Sequence, residues 1–213
     1  MGDRRQCGFT LWELMVTLAV AGVLLGLGVP NFIEFQRNGA MTAAANDLVT
    51  GTLLARSEAL TRQGTAPVVL CLSSNPLDAM PVCDVAADAV IDAPDRGFIV
   101  WVDADSDLDY DAGETIVMRS SAPGGTIRES SNCPYVAYGQ NGFSRKVAAG
   151  CFPSVRNFLY CDDRGRRGSS GTLSAARVVR VDKTGRAQTL TELADVSARI
   201  GNDAATQVDA ICP

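Results

Sequence analysis

The sequence predicts an α+β protein in which one long N-terminal helix packs on antiparallel sheets. Three observations predict it. Leu14 to Ile33 is a run of 20 residues with no charge. Apolar and small residues then recur on one helical face as far as Ala59. From Pro67 onward, short β-type runs broken by Gly, Pro and Asn replace the helical period. Strands grouped after a single long helix are the pattern of a helix segregated onto one face of an antiparallel sheet.

The chain has 213 residues, room for one ordinary domain and an accessory element. Apolar residues make up 46%, enough for a core, and charged residues 20%, which sets aside wholesale disorder. The net charge is −5, and there is no histidine. That removes the commonest general base and the commonest metal ligand together, and no nucleophile–base constellation stands out, so the chain reads as a non-enzyme. Seven cysteines suit an oxidising compartment, where disulfides persist.

The first element is the apolar run. It is long enough to span the ~30 Å hydrocarbon core as a helix. Arg4 and Arg5 precede it, so the positive-inside rule keeps the N-terminus cytoplasmic and exports everything after residue 35. An ordinary secretory signal ends its apolar stretch with a small-residue cleavage site. Here the small residue, Gly8, stands before the stretch, and cleavage there removes MGDRRQCG and leaves the hydrophobic helix on the mature chain. Glu13 is the only acid between Phe9 and Ile33. A carboxylate at the edge of hydrocarbon is costly and usually has a partner. Cut after Gly8, the chain gains a free α-amine on Phe9, which in a bundle of such helices can neutralise a neighbour's Glu13. The alternative is an acid that snorkels at the interface.

Gly8-Phe9-Thr10-Leu11-Trp12-Glu13-Leu14 resembles the class III signal of type IV prepilins and type II secretion pseudopilins. The resemblance covers about residues 4–35 and implies a prepilin peptidase that cuts after Gly8 and N-methylates Phe9. It makes Glu13 the family's assembly glutamate, with Trp12 where the common pattern has Ile. Pro30 and the glycines Gly22, Gly26 and Gly28 weaken this stretch, and Gly22 and Gly26 form a G-x-x-x-G that allows close helix approach.

The second element continues the first. Met41, Ala45, Leu48, Thr52, Ala55 and Ala59 lie on one helical face, and Gly64 and Pro67 are stop signals, so one helix is predicted from Phe9 to about Gln63. Predicted strands follow at Pro67–Leu72, Phe98–Val102, Thr115–Arg119, Tyr135–Tyr138, Asn157–Cys161, Ala176–Asp182 and Ala187–Leu190. Leu190–Pro213 is polar and weakly patterned and reads as a surface wrap. The stretch LVTGTLLARSEALTRQGTAPVVLC resembles the GspH/FimT branch of the pilin-like proteins, where a similar helix end leads into the first strand. That implies a small β-sandwich. The organisation is therefore a cleaved leader (1–8), a transmembrane or filament-core helix (9–35), its amphipathic continuation (36–64) and a periplasmic domain (65–213).

Cys7 falls in the leader. Cys71, Cys83, Cys133, Cys151, Cys161 and Cys212 remain, and six cysteines allow 15 pairings. Cys71–Cys83 closes the easiest local loop, and Cys133–Cys151 with Cys161–Cys212 is the favoured completion. A metal site is the rival reading, with neither C-x-x-C nor histidine to support it.

The charge is split. Cys71–Ser130 holds 12 acids against 3 bases, and Phe143–Leu190 holds 10 bases against 3 acids. Within the acidic half, Asp103, Asp105, Asp107, Asp109, Asp111 and Glu114 occupy positions 1, 3, 5, 7, 9 and 12 of an EF-hand-like spacing that suits structural calcium. Leu108 stands where that loop wants Gly, and the flanks read as strands, so the other reading is a solvated acidic loop. No other cofactor is expected. In the basic half, Arg164, Arg166 and Arg167 lie in a Gly/Ser-rich loop, followed by Arg177, Arg180, Lys183 and Arg186, with alternation placing the arginines toward solvent. Such a face suits sequence-independent phosphate contacts. FimT-type minor pilins carry a Gly-Arg-x-Arg motif tied to DNA capture. Gly185-Arg186-Ala187-Gln188 is similar, with Gln188 in place of the second Arg. The opposing reading is a basic face turned to a neighbouring subunit.

The resemblance implies an inner-membrane, single-pass minor pilin or pseudopilin. It would assemble with other pilin subunits through its N-terminal helix, at or near a filament tip, in a type II secretion pseudopilus or a type IV pilus. A FimT-like DNA-binding role is the alternative.

Overall fold

The structure, a computed structural model, describes residues 9–62, 64–84, 96–131, 133, 135–146, 155–165, 173–192 and 194–196. The chain divides into two compact units, Met1–Gly39 and Ala40–Pro213. One helix, α1 (Leu11–Arg62), contributes to both and runs through Pro30 without a break. In the first unit every helical residue as far as Ile33 is exposed. The helix there is long and apolar enough to cross a membrane, and its most apolar window is unburied among the described residues.

In the second unit the helix buries Met41, Ala44, Ala45, Leu48, Gly51, Thr52, Ala55 and Ala59, the predicted face with two small residues added. Gly51 is required there by close approach: a Cβ would lie 2.5 Å from the Phe98 ring. After the helix come β1 (Val68–Ser73), β2 (Gly97–Val102), β3 (Thr115–Ser120), β4 (Arg128–Ser131), β5 (Tyr135–Tyr138), β6 (Ser144–Arg145), β7 (Val155–Cys161), β8 (Leu173–Asp182) and β9 (Ala187–Glu192). They form a five-stranded sheet in the order β3-β2-β1-β5-β6 and a four-stranded sheet in the order β4-β7-β8-β9. The strand pairings among the described residues are all antiparallel.

One face of each sheet and the helix share a central core. Val68, Leu70, Phe98, Val100, Val136 and Tyr138 come from the first sheet, and Phe158, Tyr160, Val179 and Val181 from the second. Burying such side chains is worth roughly 1.5–3 kcal/mol each before entropy opposes it. The outer face of the first sheet is also covered, by a cluster of Val69, Cys71, Ile99, Trp101, Tyr135 and Ala137 with Leu108 laid over it. On the second sheet, Leu159, Cys161, Ala176 and Val178 pack with Val196. Strands buried on both faces read as continuous apolar runs, which is why VVLCL and FIVWV lack alternation.

Two strands escape sequence reading. β4 is RESS, polar throughout, yet Glu129, Ser130 and Ser131 are buried. β6 has only two residues. β8 also begins earlier than its apolar stretch, at Leu173. The surface wrap expected after Leu190 is corrected in part: the strand continues to Glu192, and Val196 is fully buried.

Candidate functional site

The N-terminal element starts with a reciprocal cap. The Thr10 amide and Thr10 Oγ1 each donate to Glu13 Oε2 at 2.9 Å, and the Glu13 amide donates to Thr10 Oγ1 at 3.3 Å. This is a T-x-x-E capping box, which satisfies amides that a helix start leaves orphaned. Sequence reasoning gave Glu13 two readings and missed this third, although the Thr10-x-x-Glu13 spacing was there to be read. Phe9 is exposed, as are the apolar side chains beyond it. A surface of this kind is stable in lipid or against other apolar helices and not in water. Gly8 lies outside the described residues.

The acidic loop joins β2 to β3. It is anchored rather than loose: Leu108 is 2% exposed and Tyr110 packs against the same cluster. Asp103 is buried and its carboxylate accepts from the amides of Ser106 at 2.8 Å, Asp107 at 3.3 Å and Leu108 at 3.4 Å. Burial pushes the Asp103 carboxyl up to about 6, even with those amides favouring its charge. Leu108 adopts φ 74°, the left-handed conformation that glycine supplies at the corresponding loop position. The objection raised by its identity is thus met by its backbone, and the side chain is buried instead of clashing.

Carboxylate oxygens of Asp103, Asp105 and Glu114 lie within 4.8 Å of one another, as do those of Asp105, Asp107 and Asp111. Oxygen donors at that spacing suit a hard divalent cation. Glu114 is also used locally, accepting from the amides of Ala104 at 2.6 Å and Asp111 at 3.1 Å.

Among the described residues, the predicted bases take different settings. Arg164 is committed to Asp162, with Nη2 to Oδ2 at 2.6 Å and Nε to Oδ2 at 2.9 Å. Arg166 and Arg167 lie outside the described residues. The β8 arginines expected at the surface are half-buried. Arg177 turns back to donate to the carbonyls of Ser174, Ala175 and Ala176. The pattern of β8 explains this: with Val178, Val179 and Val181 all buried, both faces of the strand are covered. Arg180 pairs across to Gln188 in the strand register. Lys183 and Arg186, in the β8–β9 turn, are exposed.

Cys71 and Cys83 form a disulfide. Cys133 and Cys161 are also disulfide-bonded, and both are fully buried. Cys151 and Cys212, their favoured partners, lie outside the described residues.

Comparison with known proteins gives two family matches. The family described as "Type II transport protein GspH" matches residues 44–185, from the second half of α1 into the β8–β9 turn. The "Prokaryotic N-terminal methylation motif" matches residues 3–29. Among curated proteins, the chain is similar over 44 residues to the type IV major pilin protein PilA of Myxococcus xanthus, at 43% identity and covering 21% of this chain and 20% of that one. It is similar to the type II secretion system core protein G of Aeromonas hydrophila over 49 residues, at 41% identity, 23% of this chain and 34% of that one. The core protein G of Dickeya chrysanthemi is 43% identical over 47 residues, 22% of this chain and 31% of that one. The chain thus spans at most about a third of the length of these relatives. No solved structure matches it.

Proposed function

The chain belongs to the GspH family of type II transport proteins, and from that premise we propose that it is a structural subunit of a type II secretion pseudopilus or a type IV pilus. It assembles through its N-terminal helix and carries out no catalysis. The observation that carries this reading is the helix surface from Leu11 to Ile33, wholly exposed and predominantly apolar, with Glu13 its single acid, most of it within the match to the N-terminal methylation motif over residues 3–29. A bare 20-residue apolar helix needs lipid before assembly and neighbouring helices after it.

In this proposal prepilin peptidase releases MGDRRQCG, Phe9 becomes the methylated N-terminus, and the inner membrane holds the subunit with its β domain in the periplasm. Glu13 then meets the Phe9 amine of a neighbouring subunit. A place at or near the tip, where it primes assembly, belongs to the same proposal and rests on the family resemblance.

The test is filament incorporation of the full chain. The wild-type chain is expected to co-isolate with sheared filaments or with the other pilin subunits. Glu13→Ala is expected to insert in the membrane and be processed but to drop out of that fraction. Normal incorporation of Glu13→Ala would overturn the role given to Glu13.

DNA capture, the alternative drawn from the arginine-rich half, has less support in the geometry. Arg164 is ion-paired, Arg180 is half-buried, and Gln188 leaves Arg186 without a second arginine in its motif.

A further inference from the structure

Where β2 begins and β3 finishes, the β domain holds a cavity of about 280 Å³. Its walls are largely apolar: Ala40 and Ala44 from α1, Phe98 from β2, Ile127 ahead of β4 and Tyr160 from β7. All of them belong to the second unit. The volume is at the small end of ligand cavities.

One base lines this space. Arg96 is on the wall, and its side chain is only 9% exposed. Burial lowers its pKa, with Asp84 and Glu129 pulling the other way, and a guanidinium stays protonated. Arg96 Nε stands 3.4 Å from Asp84 Oδ2, and both atoms are buried without a hydrogen bond. Among the described residues the Arg96 side chain has that one ion pair and no hydrogen bond. A guanidinium carries five donors in a planar fork, and leaving them buried and unmet is costly.

The other acids nearby do not meet them. Glu129 is fully buried, and burial pushes its carboxyl up to about 8, against the Tyr160 hydroxyl and the Arg96 charge, so it is neutral below that pH. Tyr160 faces it in the β4–β7 register, and Glu129 Oε1 is itself buried without a partner. Asp47, the acid among the lining residues, is exposed, where water weakens its effect on the cavity. Apolar walls therefore enclose a desolvated cation that lacks acceptors.

We propose that this cavity binds a carboxylate carried on a small apolar body, with the Arg96 guanidinium as the group that recognises it. A carboxylate and a guanidinium match in plane and spacing, and two parallel N–H···O bonds form between them. The incoming charge supplies acceptors where they are missing, so it relieves a desolvation cost already present. The chemistry is the same whether the carboxylate is that of a free acid or of the C-terminal residue of another polypeptide. The inference stands apart from the assembly reading, since it requires neither processing nor a filament.

The experiment uses the full chain in detergent, labelled with nitrogen-15. The amides of Gly97 and Gly124, both on the cavity wall, are followed by NMR near neutral pH as sodium butyrate is added. Their shifts are expected to move and saturate with butyrate and to stay still with butyramide, which has the same body without the charge. Arg96→Lys keeps a charge but loses the fork and is expected to weaken butyrate binding about tenfold. Ala43→Leu keeps the argument open to refutation if Arg96 variants fold poorly. Ala43 is exposed and lines the cavity, so the larger side chain is expected to fill the space and abolish binding while the thermal midpoint holds. N-acetylalanine separates the two sources: tighter binding than butyrate assigns the site to a polypeptide end, weaker binding to a free acid, and both results support a carboxylate site. No saturable shift with either acid, equal shifts with butyramide, or binding unchanged by both Arg96→Lys and Ala43→Leu overturns the inference.

Discussion

Thr10 and Glu13 satisfy each other at the first turn of α1, the hydroxyl and amide of Thr10 both donating to one carboxylate oxygen of Glu13. Glu13 thus has a local partner within its own chain. The single acid in the apolar helix serves two ends: it caps the helix, and in the proposed filament it meets the next N-terminus.

The two roles separate by substitution. Thr10→Val removes the cap and is expected to cost the first turn about 1 kcal/mol, while leaving the Glu13 charge in place. Filament incorporation should fall modestly for Thr10→Val and severely for Glu13→Ala. Equal losses in the sheared-filament fraction would mean that capping alone accounts for Glu13.

Glu129 gives the β domain a pH dependence of definite sign. Burial pushes its carboxyl up to about 8, against the pull of the Tyr160 hydroxyl and the Arg96 cation. An ordinary Glu titrates near 4.5. As pH rises, the unfolded chain gives up this proton first, so the stability held by neutral Glu129 is complete below 4.5 and is lost as pH climbs toward 8. Asp103 acts in the same sense between 3.8 and about 6. Urea midpoints should therefore fall between about pH 5 and pH 8.5. Glu129→Gln, which stays neutral, should flatten most of that fall, and an unchanged slope would contradict the burial of Glu129.

Leu108 combines a left-handed backbone with a buried side chain. Leu108→Ala should destabilise the domain by about 2–5 kcal/mol through the lost contact with the cluster over the first sheet. Leu108→Gly loses the same contact but relieves roughly 1–2 kcal/mol of backbone cost, so it should be the milder change. Thermal midpoints measured side by side give the order, and the reverse order would refute the strained conformation.

The disulfides carry a simple expectation. Cys71, Cys83, Cys133 and Cys161 should all resist alkylation before reduction, and Cys71→Ser with Cys83→Ser should cost about 3 kcal/mol. Free thiol at any of the four in exported protein would contradict the oxidised core.

The helix and most strands were legible because their signals are local. An uncharged run, a 3.6-residue face from Met41 to Ala59 and apolar strings such as VVLCL depend on few distant partners. β4 was not legible, because RESS becomes a strand only when β7 pairs with it, and Glu129 is buried only by the fold around it. The same limit governs the basic half. Counting arginines gave a charge but not a surface, since Arg164 finds Asp162 and Arg177 turns to its own backbone. Phe143, Arg145 and Lys146 carried no motif. Their turn lies against the β8–β9 turn through Ser144, whose hydroxyl donates to the Lys183 carbonyl, a relation between residues some 40 apart in sequence.

The central claim is that this chain is made as a prepilin-type precursor and works as an assembled subunit through the helix that begins at Phe9. The most direct measurement is the intact mass and N-terminal residue of the chain extracted from the membrane. The account predicts a mature chain that begins at N-methylated Phe9, with MGDRRQCG removed. A chain that retains its leader, or a mature N-terminus beyond the apolar helix, would contradict it.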